Sequence, residues 1–265
     1  MSKIPGTETS LELLVNCKTY PAVSTKYVET VCTGGVQPSG EFVRLYPIQF
    51  RFLAKDEQYD RWDVIRVKAY RDSKDTRPES WHLAAGSEIQ KLQHIGSEAE
   101  RWDWMKHTVH ESTDDMERKG LTNGCVEIEP IELYYEPDKV EWTEKQKELI
   151  AQKNFFLEET AMRAVEERVP YQFRLRFRQK IGSKEQDGKV LAWSYYAGYQ
   201  RNRRDGLSEN ESLERVANRV RGSIFNPEKT VFAIFGTHSR FKTWMISSLY
   251  HLPTKIIRKD SRSLF

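Results

Sequence analysis

The chain has 265 residues, 38% hydrophobic and 31% charged, with 12 Tyr, 12 Phe and 7 Trp; that is enough apolar surface for a sizeable core and too much for a disordered chain. No window approaches the roughly 18 apolar residues of a membrane span, and the polar opening MSKIPGTETS lacks a signal core, so a cytoplasmic protein is expected. The net charge of +3 conceals an asymmetry: residues 163–265 carry 21 Lys+Arg against 10 Asp+Glu (+11), which leaves 21 against 29 (−8) for residues 1–162.

Cys17, Cys32 and Cys125 are widely spaced and never form a CxxC pair, so neither a disulfide framework nor a cysteine-based zinc site is indicated. Residues 11–19 place Leu11, Leu13, Val15 and Cys17 at period two, the pattern of a half-buried strand closed by Pro21. Residues 27–37 and 41–48 then read as a hairpin turned by Pro38, Ser39 and Gly40. Phe50, Leu53 and Tyr59 give 49–62 the apolar side of a short helix, 63–71 alternates as a strand, and 72–79 is a polar loop. With a further strand expected at 88–94, these short strands suggest a compact β domain, with a barrel as one closure. Trp81, Arg77 and Tyr46 are its candidate ligand contacts.

Residues 98–109 are helical in composition, and 125–135 reads as one or two strands interrupted by Pro130. A charged amphipathic helix is expected over 141–159 as the bridge between an acidic β-rich domain (1–139) and a smaller, basic α+β domain (163–265). The predicted fold class is α+β.

The second half opens on 171–178, where Tyr171, Phe173, Leu175 and Phe177 alternate with Gln172, Arg174, Arg176 and Arg178. On a strand, one face then carries three guanidiniums spaced about 6–7 Å apart, comparable to the phosphate repeat of an extended nucleic-acid strand. A solvated sheet face explains the same pattern. After a polar loop at 180–189 come Trp193, Tyr195, Tyr196 and Tyr199, followed by Arg201, Arg203 and Arg204. Rings beside cations suit single-stranded nucleic acid, with Trp193 or Tyr195 as the stacking candidate, although the spacing of these rings equally makes the core stripe of a helix. Ser208 and Glu211 form a capping box that starts a helix running to about Phe225. Strands at 230–235 and 244–250 flank a loop containing Gly236, Thr237, His238, Ser239, Arg240 and Lys242, which suits a phosphate or a plain hairpin turn. The basic segment 255–262 reads as a flexible tail.

Three functions are open at this stage. The first is a nucleic-acid-binding protein, for DNA or RNA, without chemistry of its own, contacting phosphates through Arg174, Arg176, Arg178, Arg201, Arg203, Arg204, Arg240 and Lys242. The second is a nuclease-like enzyme centred on His238 and Arg240, or on the D-x-K string Asp187–Lys189 with Glu166 or Glu167. The third is an interaction module whose acidic half docks on the basic half of another copy, giving a homo-oligomer. His107, His110 and Glu111 do not match a zinc-protease spacing, and G-x-S-x-G, G-x-G-x-x-G and GxxxxGK[ST] are absent, so no metal or cofactor is expected.

Overall fold

The computed structural model describes residues 6–24, 26–71, 74–138, 143–153, 168–182, 184–238 and 243–262. It is strand-rich α+β, as the alternating apolar runs require. The first half contains β1 (Thr9–Lys18), β2 (Ala22–Ser24), β3 (Val28–Val36), β4 (Phe42–Ile48), β5 (Asp63–Tyr70), β6 (Ser80–Leu83) and β7 (Gln90–His94). Strand β1 pairs with both β3 and β5, β3 with β4, and β5 with β6, while β4 and β6 run parallel. The five strands therefore close in the order β1-β3-β4-β6-β5 around Leu13, Val15, Val31, Leu45, Ile65 and Val67.

Then follow α1 (Glu98–Met105), β8 (Val109–His110), α2 (Thr113–Arg118), β9 (Asn123–Pro137) and α3 (Glu144–Lys153). After them come β10 (Tyr171–Gln179), β11 (Glu185–Lys189), α4 (Trp193–Arg204), α5 (Glu209–Ile224), β12 (Lys229–Thr237), β13 (Trp244–Pro253) and α6 (Thr254–Arg262). Their sheet runs β11-β10-β9-β12-β13, and a parallel bridge between Val190 and Ile246, with Leu191 N–H donating to Ile246 O at 2.8 Å, ties its ends together. Numbering each set of five strands in chain order gives 1-2-3-5-4-1 in both halves, with strands 3 and 5 meeting in parallel. That connectivity is the five-stranded Greek-key barrel of the OB type. The chain is thus a tandem of two such barrels, which differ most in that the second inserts α4 and α5 between its third and fourth strands.

Several expectations change. Strand β9, expected with the N-terminal half, is the first strand of the second barrel, so the sheets divide within 95–108 rather than at 139. Pro130 does not interrupt it: the register shifts there, between Arg176 opposite Glu132 and Phe177 opposite Pro130, and β12 pairs only as far as Ile128, so the missing N–H breaks no ladder bond. The loop expected at 180–189 contains β11, whose EQDGK sequence has no apolar alternation because it is held by cross-strand charge pairs. Only one 3-10 turn, Phe50–Phe52, forms in 49–62. The expected flexible tail is α6, docked on α1 through Asp260, which accepts from Trp102 Nε1 (3.2 Å) and Lys106 Nζ (3.1 Å). Of the bridging helix, α3 is described, and most of the remaining span lies outside the described residues.

The two barrels meet along a continuous seam. Cys17 and Val36 of the first pack with Cys125, Phe232, Ile234, Tyr250 and Leu252 of the second, with Trp102 and Met105 of α1 in the same cluster. Strand β1 runs on into a backbone bridge, Thr19 to Ala192, with Tyr20 N–H donating to Leu191 O at 2.7 Å. Arg77 Nη1 reaches Thr237 O at 2.7 Å. Trp193 closes this seam, packed against the cores of both barrels. Trp193→Ala should cost about 3 kcal/mol, read by urea denaturation as a lower midpoint of one shared transition. A loss well under 1 kcal/mol would mean that the seam does not depend on the ring.

Candidate nucleic-acid interface

Two groups of cations stand in different surroundings. On β10, Arg174 lies 2.8 Å from Asp187 and 3.5 Å from Glu136, and its Nε donates to Tyr134 Oη at 3.0 Å. Arg176 pairs with Glu132 and lies 3.9 Å from Glu185, while Arg178 is 3.5 Å from Glu185. Lys180 continues the row and meets Glu127 at 2.8 Å. The carboxylates come from β9 and β11, the strands on either side, at cross-strand register positions. Each exposed pair is individually weak. What matters is the sum: Arg174, Arg176, Arg178 and Lys180 face Asp187, Glu127, Glu132, Glu136 and Glu185, so the face has no net positive potential for a phosphate. The row of arginines is present, and the phosphate ladder expected from it is neutralised.

The second group, Lys18, Arg61, Arg201 and Arg219, has no ion pair among the described residues. A cleft of about 340 Å³ opens between the barrels, lined by Lys18, Phe50, Asp60 and Arg61 from the first and by Trp193, Ser194, Gly198, Arg201 and Arg219 from α4 and α5. The bridge from Thr19 to Ala192 sets Lys18 and Trp193 beside each other, one residue to either side of the paired positions. Lys18 Nζ donates to Tyr59 O (2.5 Å) and sits 3.9 Å from the Phe50 ring centroid, 5.2 Å from Tyr59 and 5.6 Å from Trp193. Burial among these rings pushes its pKa down to about 8, against the opposing pull of Asp60 and Asp63. Arg61 lies over Trp62 at 4.5 Å and donates through Nη2 to Leu249 O at 2.9 Å, while its Nε is buried with no partner among the described residues. Burial also lowers the Arg61 pKa, although a guanidinium stays charged.

On the helical wall, the absence of a side chain at Gly198 lets α4 approach α5: an added Cβ would sit 3.2 Å from Val216 Cγ2 and 3.4 Å from Arg219 Nη2. Among the described residues the Arg219 side chain donates only to Ser194 O, at 3.4 Å. Arg201 is exposed on the last turn of α4, and its side chain has no hydrogen bond or ion pair among the described residues. Four cations thus converge on a concave space that holds one carboxylate, Asp60, and none of the four has a carboxylate within 4 Å among the described residues. Sequence reasoning nominated Arg201 and noted Arg219, but missed Lys18 and Arg61. Neither of those stands in a basic run, and only the fold brings them to the helices.

The other nominated residues fall elsewhere. Tyr195 is buried edge-on against Phe173 (5.6 Å), so it offers no face to a base. Trp193 meets Phe50 at 5.2 Å and 84°, and the Arg51 guanidinium lies 5.3 Å from its ring, which commits it to the seam rather than to stacking. Arg203 Nη1 caps Leu207 O at 2.7 Å, and Arg203 and Arg204 are exposed beyond the cleft mouth. His238 follows β12 and its N–H closes the hairpin on Thr243 O at 3.0 Å, whereas Ser239, Arg240 and Lys242 lie outside the described residues, as do Glu166 and Glu167. Asp187 is occupied by Arg174 and Tyr134, and Lys189 by Asp138 at 3.2 Å. Among the described residues, no three His, Cys, Asp or Glu side chains converge as metal ligands.

Trp81 lines a separate cavity of about 350 Å³ with His107 and His110, with Arg71 stacked 4.3 Å from its ring. Arg77 is ion-paired with Asp75, and Tyr46 is exposed outside that cavity, so the three guesses for the first barrel do not form one site. Among the described residues, no helix is long and apolar enough to cross a membrane.

A family model described as a domain of unknown function (DUF8757) matches residues 103–265. The chain belongs to the DUF8757 family. A second model, domain of unknown function DUF8758, matches residues 9–111, so the two matches meet over α1 and β8. No curated protein matches the chain. Among solved structures, a murine DNA-binding protein bound with double-stranded DNA aligns at 10% identity and a TM-score of 0.33, over 91% of this chain and 93% of that one. A chain from a structure described as the molecular basis for abrogation of activation of pro-inflammatory cytokines aligns at 6% and 0.32, over 95% and 97%. At these scores neither likeness bears on site or function.

The environment of Lys18 is directly measurable. Its ammonium is charged at neutral pH and is lost as pH rises through about 8, so anion affinity at the cleft should fall between pH 7 and pH 9. A lysine ¹³Cε titration by NMR should give one midpoint near 8, assigned by Lys18→Gln. A midpoint at the ordinary value of about 10.4 would mean that Nζ is hydrated and outside the aromatic enclosure.

Proposed function

We propose that this protein binds nucleic acid through its phosphates, at the cleft between the two barrels. The observation that carries this reading is the ion pairing. The cations on β10 are matched by carboxylates, whereas Lys18, Arg61, Arg201 and Arg219 converge on a space with one carboxylate, Asp60, and none of the four is ion-paired among the described residues. Unpaired cations in a concave site with low-dielectric walls focus positive potential outward and draw in polyanions. Arg203 and Arg204 on the same helix extend that field beyond the mouth. Affinity of this kind depends on counterion release and is steeply sensitive to salt.

The test compares two sets of substitutions by fluorescence anisotropy with DNA and RNA oligonucleotides over about 50–200 mM salt. Arg201→Gln with Arg219→Gln should lower the slope of log Kobs against log salt by about 1 to 2. Arg174→Gln, Arg176→Gln and Arg178→Gln together should leave both affinity and slope nearly unchanged. The reverse pattern would move the interface to β10, and an absence of binding at low salt would remove the proposal.

A further inference from the structure

Resting on that reading, we infer that the cleft takes a terminal phosphomonoester, the dianionic end of a nucleic-acid strand, in preference to the diesters along its length. Three features of the site favour an end. The first is charge. Lys18, Arg61, Arg201 and Arg219 outnumber the acids near them, Asp60 in the lining and Asp63 behind Lys18, whereas an internal diester brings one negative charge and a phosphomonoester brings about 1.5 to 2 at neutral pH. The second is donor geometry. A monoester presents three free oxygens, and the donors that line the cleft are the remaining Nζ protons of Lys18, the fork of Arg219 beyond its bond to Ser194 O and the whole fork of Arg201.

The third feature is shape. At about 340 Å³, between the Phe50–Arg61 segment on one side and α4 with α5 on the other, the space has the size of a single nucleotide unit and is too small for a duplex. The two inner cations, Lys18 and Arg61, are held by backbone carbonyls and ring faces rather than by carboxylates, so no internal counter-ion must be displaced when the phosphate arrives. Trp193 is committed to the seam, so the site gains little from a base and its discrimination falls on the phosphate.

The experiment uses the full chain and one short single-stranded oligonucleotide in three forms: 5′-phosphorylated, 3′-phosphorylated, and hydroxyl at both ends. Inorganic phosphate and a nucleoside monophosphate serve as competitors. At least one phosphorylated form should bind about tenfold or more tighter than the hydroxyl form. Arg201→Gln and Lys18→Gln should each abolish most of that preference while the hydroxyl form loses much less, with thermal melting confirming that both variants fold. Equal affinity for all three forms would overturn this inference and leave the nucleic-acid reading standing, whereas binding by none of them would overturn the reading beneath it. Competition by inorganic phosphate as effective as that by the phosphorylated strand would also overturn it, by making the cleft a general phosphate site.

Discussion

The arrangement of the cleft depends on one short stretch of backbone pairing between the barrels. Thr19 bridges Ala192, and Tyr20 N–H donates to Leu191 O, so the exit of β1 and the entry of α4 are fixed against each other. Side chains one residue outward from that bridge inherit its geometry: Lys18 at the end of β1 and Trp193 at the start of α4. The rings then reinforce the backbone, with Tyr20 stacked on Tyr196 at 4.3 Å and Tyr20 Oη accepting from Val169 N–H at 3.1 Å. A backbone bond in this half-buried position resists separation to the extent that its groups cannot be rehydrated. The cationic cleft is thus built on a rigid seam rather than on mobile loops.

Cation count alone does not locate a phosphate site; the distribution of counter-charges does. By count, the β10 row is the more conspicuous feature, with three arginines on one strand face. Its carboxylates belong to the neighbouring strands and come into register only when the sheet forms. In the cleft the opposite happens. Folding brings Lys18 and Arg61 out of the acidic half to join Arg201 and Arg219, and leaves the carboxylates behind except for Asp60. The halves that differ in overall sign therefore meet within one chain, and the signs of their contact surfaces do not follow the signs of the halves.

This also explains how much could be read from the sequence. The 171–178 strand, the β3–β4 hairpin and the capping box at Ser208 and Glu211 rest on local periodicity or spacing, and all three are present. The aromatic run at 193–199 was legible as a helix, and the helical core stripe is the reading that the burial of Tyr195, Tyr196 and Tyr199 supports. By contrast, β11 has no apolar alternation to betray it, because its outward residues are paired with charges on β10. The docking of α6 combines Ile256 and Ile257 against the seam with Asp260, whose partners lie more than 150 positions away. The shared strand order of the two barrels leaves no repeat in the sequence, since the five strands of each barrel conserve only an alternation that any strand can satisfy.

The two barrels nevertheless make the position of the cleft intelligible. In each, the third strand connects to the fourth by a segment that caps the barrel end: residues 49–62 in the first and 190–228 in the second. The first connection is short and supplies Phe50, Asp60 and Arg61; the second is expanded into α4 and α5 and supplies Trp193, Arg201 and Arg219. The cleft is the space where these equivalent connections face one another across the seam. A helical insertion gives its half of the wall a rigid, evenly spaced set of positions, and Gly198 lets the two helices close to contact. The first connection, with one helical turn, instead anchors its cation by burial: Arg61 is held at the floor by the Leu249 carbonyl and the Trp62 ring. Two expressions of one topological feature, one helical and one extended, thus supply the rim and the floor of the same cationic cleft.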